Sequence, residues 1–223
     1  MSLQSSVLKR SQAGILQTNR VLRNTYLLLS MTLLFSAGTA ALSMMFNLPH
    51  PGAIVTLVGY FGLLYLTHRL ANSVWGIASV FALTGFMGMT LGPILNFYVT
   101  HMSNGAQLVM TALGGTGVIF LGLSAYALTT RKDFTFMGGM LMTGILVAFL
   151  AGLVGLFVPM PGLHLAVSAM FILLMSGMIL FETGNIVHGG ETNYILATVS
   201  LYVTIFNLFT SLLNILGIFN GDD

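Results

Sequence analysis

The chain has 223 residues, of which 56% are hydrophobic and only 5% charged, against about 25% charged in an average soluble domain. Seven basic and five acidic side chains cannot clothe a water-soluble surface of this size, and a mean hydropathy of +0.95 makes lipid the solvent for most of it. The lack of cysteine excludes disulfides, thiolate metal sites and cysteine nucleophiles, and a net charge of +2 is too small to point to nucleic acid.

Residues 1–24 are polar and carry Lys9, Arg10, Arg20 and Arg23. The segment is too long and polar for the n-region of a signal peptide. The apolar run 26–46 behind it is too long for an h-region, although its SAGTAA loosely resembles a cleavage site. We therefore read a basic cytoplasmic tail, 1–24, and a seven-helix transmembrane domain, 25–223. The spans are 26–46, 52–67, 74–98, 106–130, 136–158, 163–181 and 195–219. Most reach the ~20 residues that cross a ~30 Å hydrocarbon core. The second is short and borrows flanking residues at an interface. Continuous apolar runs exclude the alternating strands of a barrel, so the fold class is an all-α integral membrane bundle. The breaks NLPHPG, HRLANS, HMSNG, RKDF, VPMPG and HGGETN are short turns, which predicts that each helix packs as an antiparallel hairpin on the next.

Orientation follows from lysine and arginine. With the N-terminus in the cytoplasm, Arg69, Arg131, Lys132 and the four basic residues of the tail all fall inside, and the C-terminal NGDD falls outside. For a bacterial chain the membrane is then the inner one. Small residues on one helix face let backbones approach in lipid. Gly85, Gly88 and Gly92 form such a face in the third span, Gly115 and Gly122 in the fourth, and Gly152 and Gly155 in the fifth. Pro93 frees the carbonyl one turn earlier and is expected to bend the third span near its outer end. The 15 methionines suit adaptable packing.

The residue that stands out is Glu182, about five residues before the end of the sixth helix, or ~7 Å deep at 1.5 Å per residue. An ionised carboxylate at a helix centre costs ~2.5–3.5 kcal/mol, so a proton or a partner is called for. Asn185 lies one turn on, Thr204 and Asn207 lie in the middle part of the seventh span and can approach across the hairpin, and Arg69 with His68 can supply a counter-charge from the second. Two readings fit. One is a proton- or cation-sensitive site near the cytoplasmic side. The other is a polar knot that fixes the packing of the last two helices. His188 and Glu191 in HGGE fall short of the three or four ligands a metal needs, and read as a solvated turn reversed by its glycines. His50, His101 and His164 read as interfacial residues. No H-E-x-x-H, P-loop, Rossmann fingerprint or intramembrane aspartate pair is present, so neither an enzyme nor a metal or other cofactor is indicated.

GFMGMTLGPILNFY in the third span resembles the G-x-x-x-x-x-G-P-x-L signature of the Bax inhibitor-1 family. FETGNIVHGGETNYI followed by LYVTIFNLFTSLLNILG resembles that family's last two helices. ALGGTGVIF and ALTTRKDFTFMGGML fit its fourth and fifth. The resemblance runs from VLRNTYLLLS onward and is strongest to a bacterial type that modulates FtsH, a membrane-anchored ATP-dependent protease. It implies a seven-helix bundle with the last helix central, surrounded by the other six. It implies two activities: binding FtsH and restraining its proteolysis of membrane proteins, or a pH-sensitive calcium or proton leak. The leak is gated by an acid on each of the last two helices. Glu182 takes the first place, but the second is held by Thr204 and no other acid lies in the seventh span. A carboxylate pair can share one proton; a glutamate with a threonine cannot. The expected function is therefore protease modulation, with the tail of about twenty polar residues long enough to be gripped.

Overall fold

The computed structural model describes residues 2–158 and 161–220. The C-terminal Asp222 and Asp223, the side chains of Lys9 and Arg10, and Pro159 and Met160 of the VPMPG turn lie outside the described residues. The described part is helical: α1 (Ser2–Met45), α2 (Ala53–Leu70), α3 (Gly76–His101), α4 (Gly105–Thr130), a 3₁₀ turn (Thr135–Met137), α5 (Gly138–Phe157), α6 (Pro161–Val187) and α7 (Tyr194–Asn220). Seven helices are long and apolar enough to cross a membrane, and the protein is a multi-pass membrane protein.

Helix lengths follow the breakers. No proline interrupts α1, which runs unbroken for 44 residues, about twice the ~30 Å hydrocarbon thickness at 1.5 Å per residue. Its apolar stretch is Gln17–Met45, and residues 2–16 continue the same helix. It stops where Asn47 turns left-handed (φ 48°) ahead of Pro49 and Pro51. The second span takes in His68, Arg69 and Leu70 to reach 18 residues. Helix α6 ends at a turn in which Gly189 adopts φ 75°, a conformation glycine reaches without strain.

The packing differs from a string of hairpins. Helix α1 lies along α3 rather than on α2, and α4 packs on α3, α6 and α7 rather than on α5. The reason is the glycine face of α3. A Cβ on Gly85 would meet the Phe35 ring, one on Gly88 would strike Ser36 and Thr39, and one on Gly92 would strike Ser43. Only glycine lets α1 come this close. Pro93 fits the same seam. Its ring removes the N–H that would bond the Met89 carbonyl, and the Ser43 hydroxyl donates to that carbonyl instead, at 2.9 Å. Helix α3 stays helical through the proline.

Helix α7 is central: 61% of its apolar stretch is buried, against 6% for α2 and 17% for α5. It packs against α1, α3, α4 and α6, whereas α2 leans on α3 and α5 on α6. The last helix is thus surrounded by four helices rather than six. Gly115 packs near Leu212 and Gly155 lies beneath the His164 ring, but Gly122 faces open space. The shared glycine face expected on the fourth span is therefore only half used.

Candidate functional site

Glu182 is buried in the last turns of α6 (8% exposed). The Thr204 hydroxyl of α7 lies 3.4 Å from each of its carboxyl oxygens and donates to them. The next residue of α6, Thr183, meets the Tyr26 hydroxyl of α1 at 3.3 Å. The acid is therefore met by a hydroxyl of α7, and the residue after it ties α6 to α1.

The other residues expected beside it stand apart. Arg69 is exposed in the last turn of α2, which packs on α3, so it gives Glu182 no counter-charge. Asn207 turns its amide back on its own helix and donates to the Val203 carbonyl at 2.8 Å. Asn185 lies in the last turn of α6, where its backbone carbonyl accepts the Gly190 amide at 2.9 Å. The structure brings together Glu182 and Thr204 and leaves Asn185, Asn207 and Arg69 in separate roles. Among the described residues no group of three or more histidine, cysteine or acidic side chains is placed to hold a metal ion.

Above this pair the α6–α7 turn is stitched to two neighbours. Asn193 caps α7, its side-chain oxygen accepting the amides of Ile195 at 2.9 Å and Leu196 at 3.4 Å. Its amide nitrogen donates to the Ala71 carbonyl at 3.2 Å and to Asn72 at 2.9 Å, in the turn between α2 and α3. The Glu191 carboxylate accepts the Asn193 amide at 2.7 Å. His188 reaches the turn between α4 and α5, where its Nε2 lies 3.0 Å from the Arg131 carbonyl. In that turn the Thr135 hydroxyl (2.7 Å) and amide (2.8 Å) donate to Asp133 and hold its exposed carboxylate below the usual range.

The sequence reading missed a third polar feature. Tyr202, 1% exposed in the first third of α7, receives the Ser36 hydroxyl of α1 at 2.5 Å and donates to the Thr84 carbonyl of α3 at 3.3 Å. A tyrosine inside an apolar run is the available signal, because a buried phenol needs a partner. Beside it an apolar cavity of about 450 Å³ lies among α1, α3, α4 and α7, with Leu33, Leu91, Leu113, Phe120, Ile205 and Phe209 in its wall. Its polar groups are already used: Thr116 donates to the Ala112 carbonyl at 2.7 Å, and Ser36 and Tyr202 bond each other. Glu182 does not line it, and its wall carries no charged side chain.

Comparison with known proteins matches residues 18–221 to the family model described as inhibitor of apoptosis-promoting Bax1. The chain is 57% identical over 212 residues, 95% of each protein, to "Modulator of FtsH protease YccA" of Escherichia coli K12. It is equally similar to "Inner membrane protein YccA" of Escherichia coli O6:H1, again at 57% identity over 95% of each. An uncharacterized protein of Pseudomonas aeruginosa is 54% identical over 93% of each chain.

Proposed function

The chain belongs to the family of the inhibitor of apoptosis-promoting Bax1, and from that premise we propose that it is a bacterial inner-membrane regulatory protein. It binds the membrane-anchored protease FtsH and restrains proteolysis of membrane proteins. The observation that carries this reading is the 57% identity, over 95% of both chains, to a protein named as a modulator of that protease. In this reading residues 1–24 form the cytoplasmic tail and 25–223 the membrane domain, with the C-terminus in the periplasm. The arginines and Lys132 gathered at one end of the bundle support that orientation.

The protease would meet the protein through its lipid-facing surface and the helical tail. Helices α2 and α5 carry the barest outer faces, with Ile54, Val58, Tyr65, Met142, Leu146 and Leu150 exposed. Glu182 and Thr204 serve as a polar joint between α6 and α7. A hydroxyl opposite the acid favours that role over a gate of paired acids, because it brings no second charge to share a proton.

The test is the half-life of a membrane protein degraded by FtsH, followed in cells with and without this chain and in cells carrying a deletion of residues 2–16. Co-purification with the protease and a longer half-life in its presence are expected. The deletion should leave the bundle folded and weaken the effect. An unchanged half-life together with purification free of the protease would overturn the reading.

A further inference from the structure

Helices α1 and α4 both pack on α3 and α7 but leave a gap between themselves. They meet where the Tyr26 and Phe120 rings lie 6.0 Å apart. Beyond that contact the apolar cavity of about 450 Å³ separates them. Its floor includes Ile205 and Phe209 of the central helix, both buried. Its rim is exposed, with Ala37 on α1 and Leu113 on α4. Gly117 of α4 also lines it, and a Cβ there would meet nothing within 4 Å. The cavity is thus a slot that runs from the outer surface of the bundle to α7.

We propose that this slot binds one acyl chain of a membrane phospholipid and leaves the headgroup outside. Its mouth lies within apolar spans, so the medium that stands against it is hydrocarbon. On α1 the slot runs from Leu33 to Met44, ~16 Å at 1.5 Å per residue. That is about half of a ~30 Å hydrocarbon core, the depth of a single leaflet. The slot lies in the half of the bundle where α1 and α3 end and α4 begins, away from Arg69, Arg131 and Lys132.

Other occupants do not fit. A held water needs ~2–4 polar partners, and the hydroxyls in the wall are engaged: Thr116 donates to the Ala112 carbonyl, and Ser36 and Tyr202 bond each other. A helical segment ~16 Å long and ~10–12 Å across occupies ~1,500 Å³, far more than the slot offers. A phosphate headgroup calls for a cation, and no charged side chain lines the wall. An apolar cavity of ~150 Å³ already takes up benzene from water. One of about 450 Å³ that opens on hydrocarbon takes a chain. The chain supplies the α1–α4 contact that the protein's own side chains leave out. The inference rests on the membrane-spanning fold and stands whether or not the protease is bound.

The test places the full chain in nanodiscs doped with a phosphatidylcholine that carries a diazirine on one acyl chain. After illumination, mass spectrometry of peptides locates the labelled residues. Ile205 and Phe209 are buried on the central helix, so label there reports a chain inside the slot rather than bulk lipid on the outer faces. Label at one or both is expected in the parent protein. Gly117→Phe should abolish it. Gly122→Phe, on the same helix and outside the slot, where a Cβ also meets nothing within 4 Å, should leave it unchanged. Where Gly117→Phe does not fold, Ala37→Phe fills the slot from the opposite wall. Absence of label at Ile205 and Phe209 in the parent would overturn the proposal. So would label that survives in a folded slot-filling variant, label lost equally in Gly122→Phe, or label that a free diazirine fatty acid delivers and the phospholipid does not.

Discussion

The seam between α1 and α3 and the joint between α6 and α7 solve the same problem in opposite ways. At the seam Gly85, Gly88 and Gly92 give up side chains so that α1 backbone and small side chains press against α3. The single carbonyl freed by Pro93 is taken by Ser43. At the joint an acid is buried and met by the Thr204 hydroxyl at 3.4 Å, and the connecting turn is bound by Asn193 and His188 to two neighbouring turns. Close steric fit tolerates no added atom, whereas polar contacts tolerate a change of shape but not the loss of a partner. The seam is therefore built to stay closed, and the joint is where a change of charge can alter the structure.

Substitutions should separate the two. Gly88→Leu is expected to have the largest effect, since its Cβ alone would strike Thr39 and Ser36, and overpacking of this kind costs ~3 kcal/mol or more. Loss of folded protein in a detergent thermal-stability assay is the readout; a wild-type melting curve would show that α1 can shift. Thr204→Val keeps the shape but leaves the Glu182 carboxyl without its principal donor, at a cost of ~1–3 kcal/mol. Adding Glu182→Leu removes the unpartnered acid, so the double variant should be more stable than Thr204→Val alone. Additive losses in that cycle would contradict a direct contact.

Asn193→Ala removes the cap of α7 and the link to Asn72, with ~1–2 kcal/mol lost. Faster amide exchange at Ile195 and Leu196, with little change at the α1–α3 seam, is the expected pattern. The smallest effect concerns Asp133, whose carboxylate is lowered by the Thr135 hydroxyl and amide. A depressed folded value stabilises above the unfolded pKa of about 3.9, and the contribution disappears as pH falls through the folded value. Amide exchange at Thr135 should therefore speed up on acidification below about pH 4, and Asp133→Asn should abolish that pH dependence while keeping an acceptor for the amide.

Much of this was legible in the chain. Seven apolar runs separated by turn residues specify seven helices, because lipid leaves a backbone no other way to satisfy itself. The glycine face of the third span marked a close contact, and Glu182 marked a buried acid in need of a partner. The choice of partners was not legible. Short turns pointed to hairpins, yet α1 passes over α2 to reach α3, because the glycine face, not the loop, decides where a helix fits closest. Arg69 had the right charge for Glu182, but it lies exposed on a peripheral helix. Thr204 has no charge and is nonetheless the group in contact.

The sequence by itself determined the solvent, the number of helices, the breaks between them and the family, because composition, periodicity and motifs are local properties of the chain. Only the tertiary structure decided that α7 is packed against four helices, that Tyr202 joins α1 to α3, and that both nitrogens of His188 face carbonyls. The Tyr202 contacts and the His188–Arg131 contact join residues 57 to 166 positions apart. They depend on how helix faces interlock, and no local pattern encodes that.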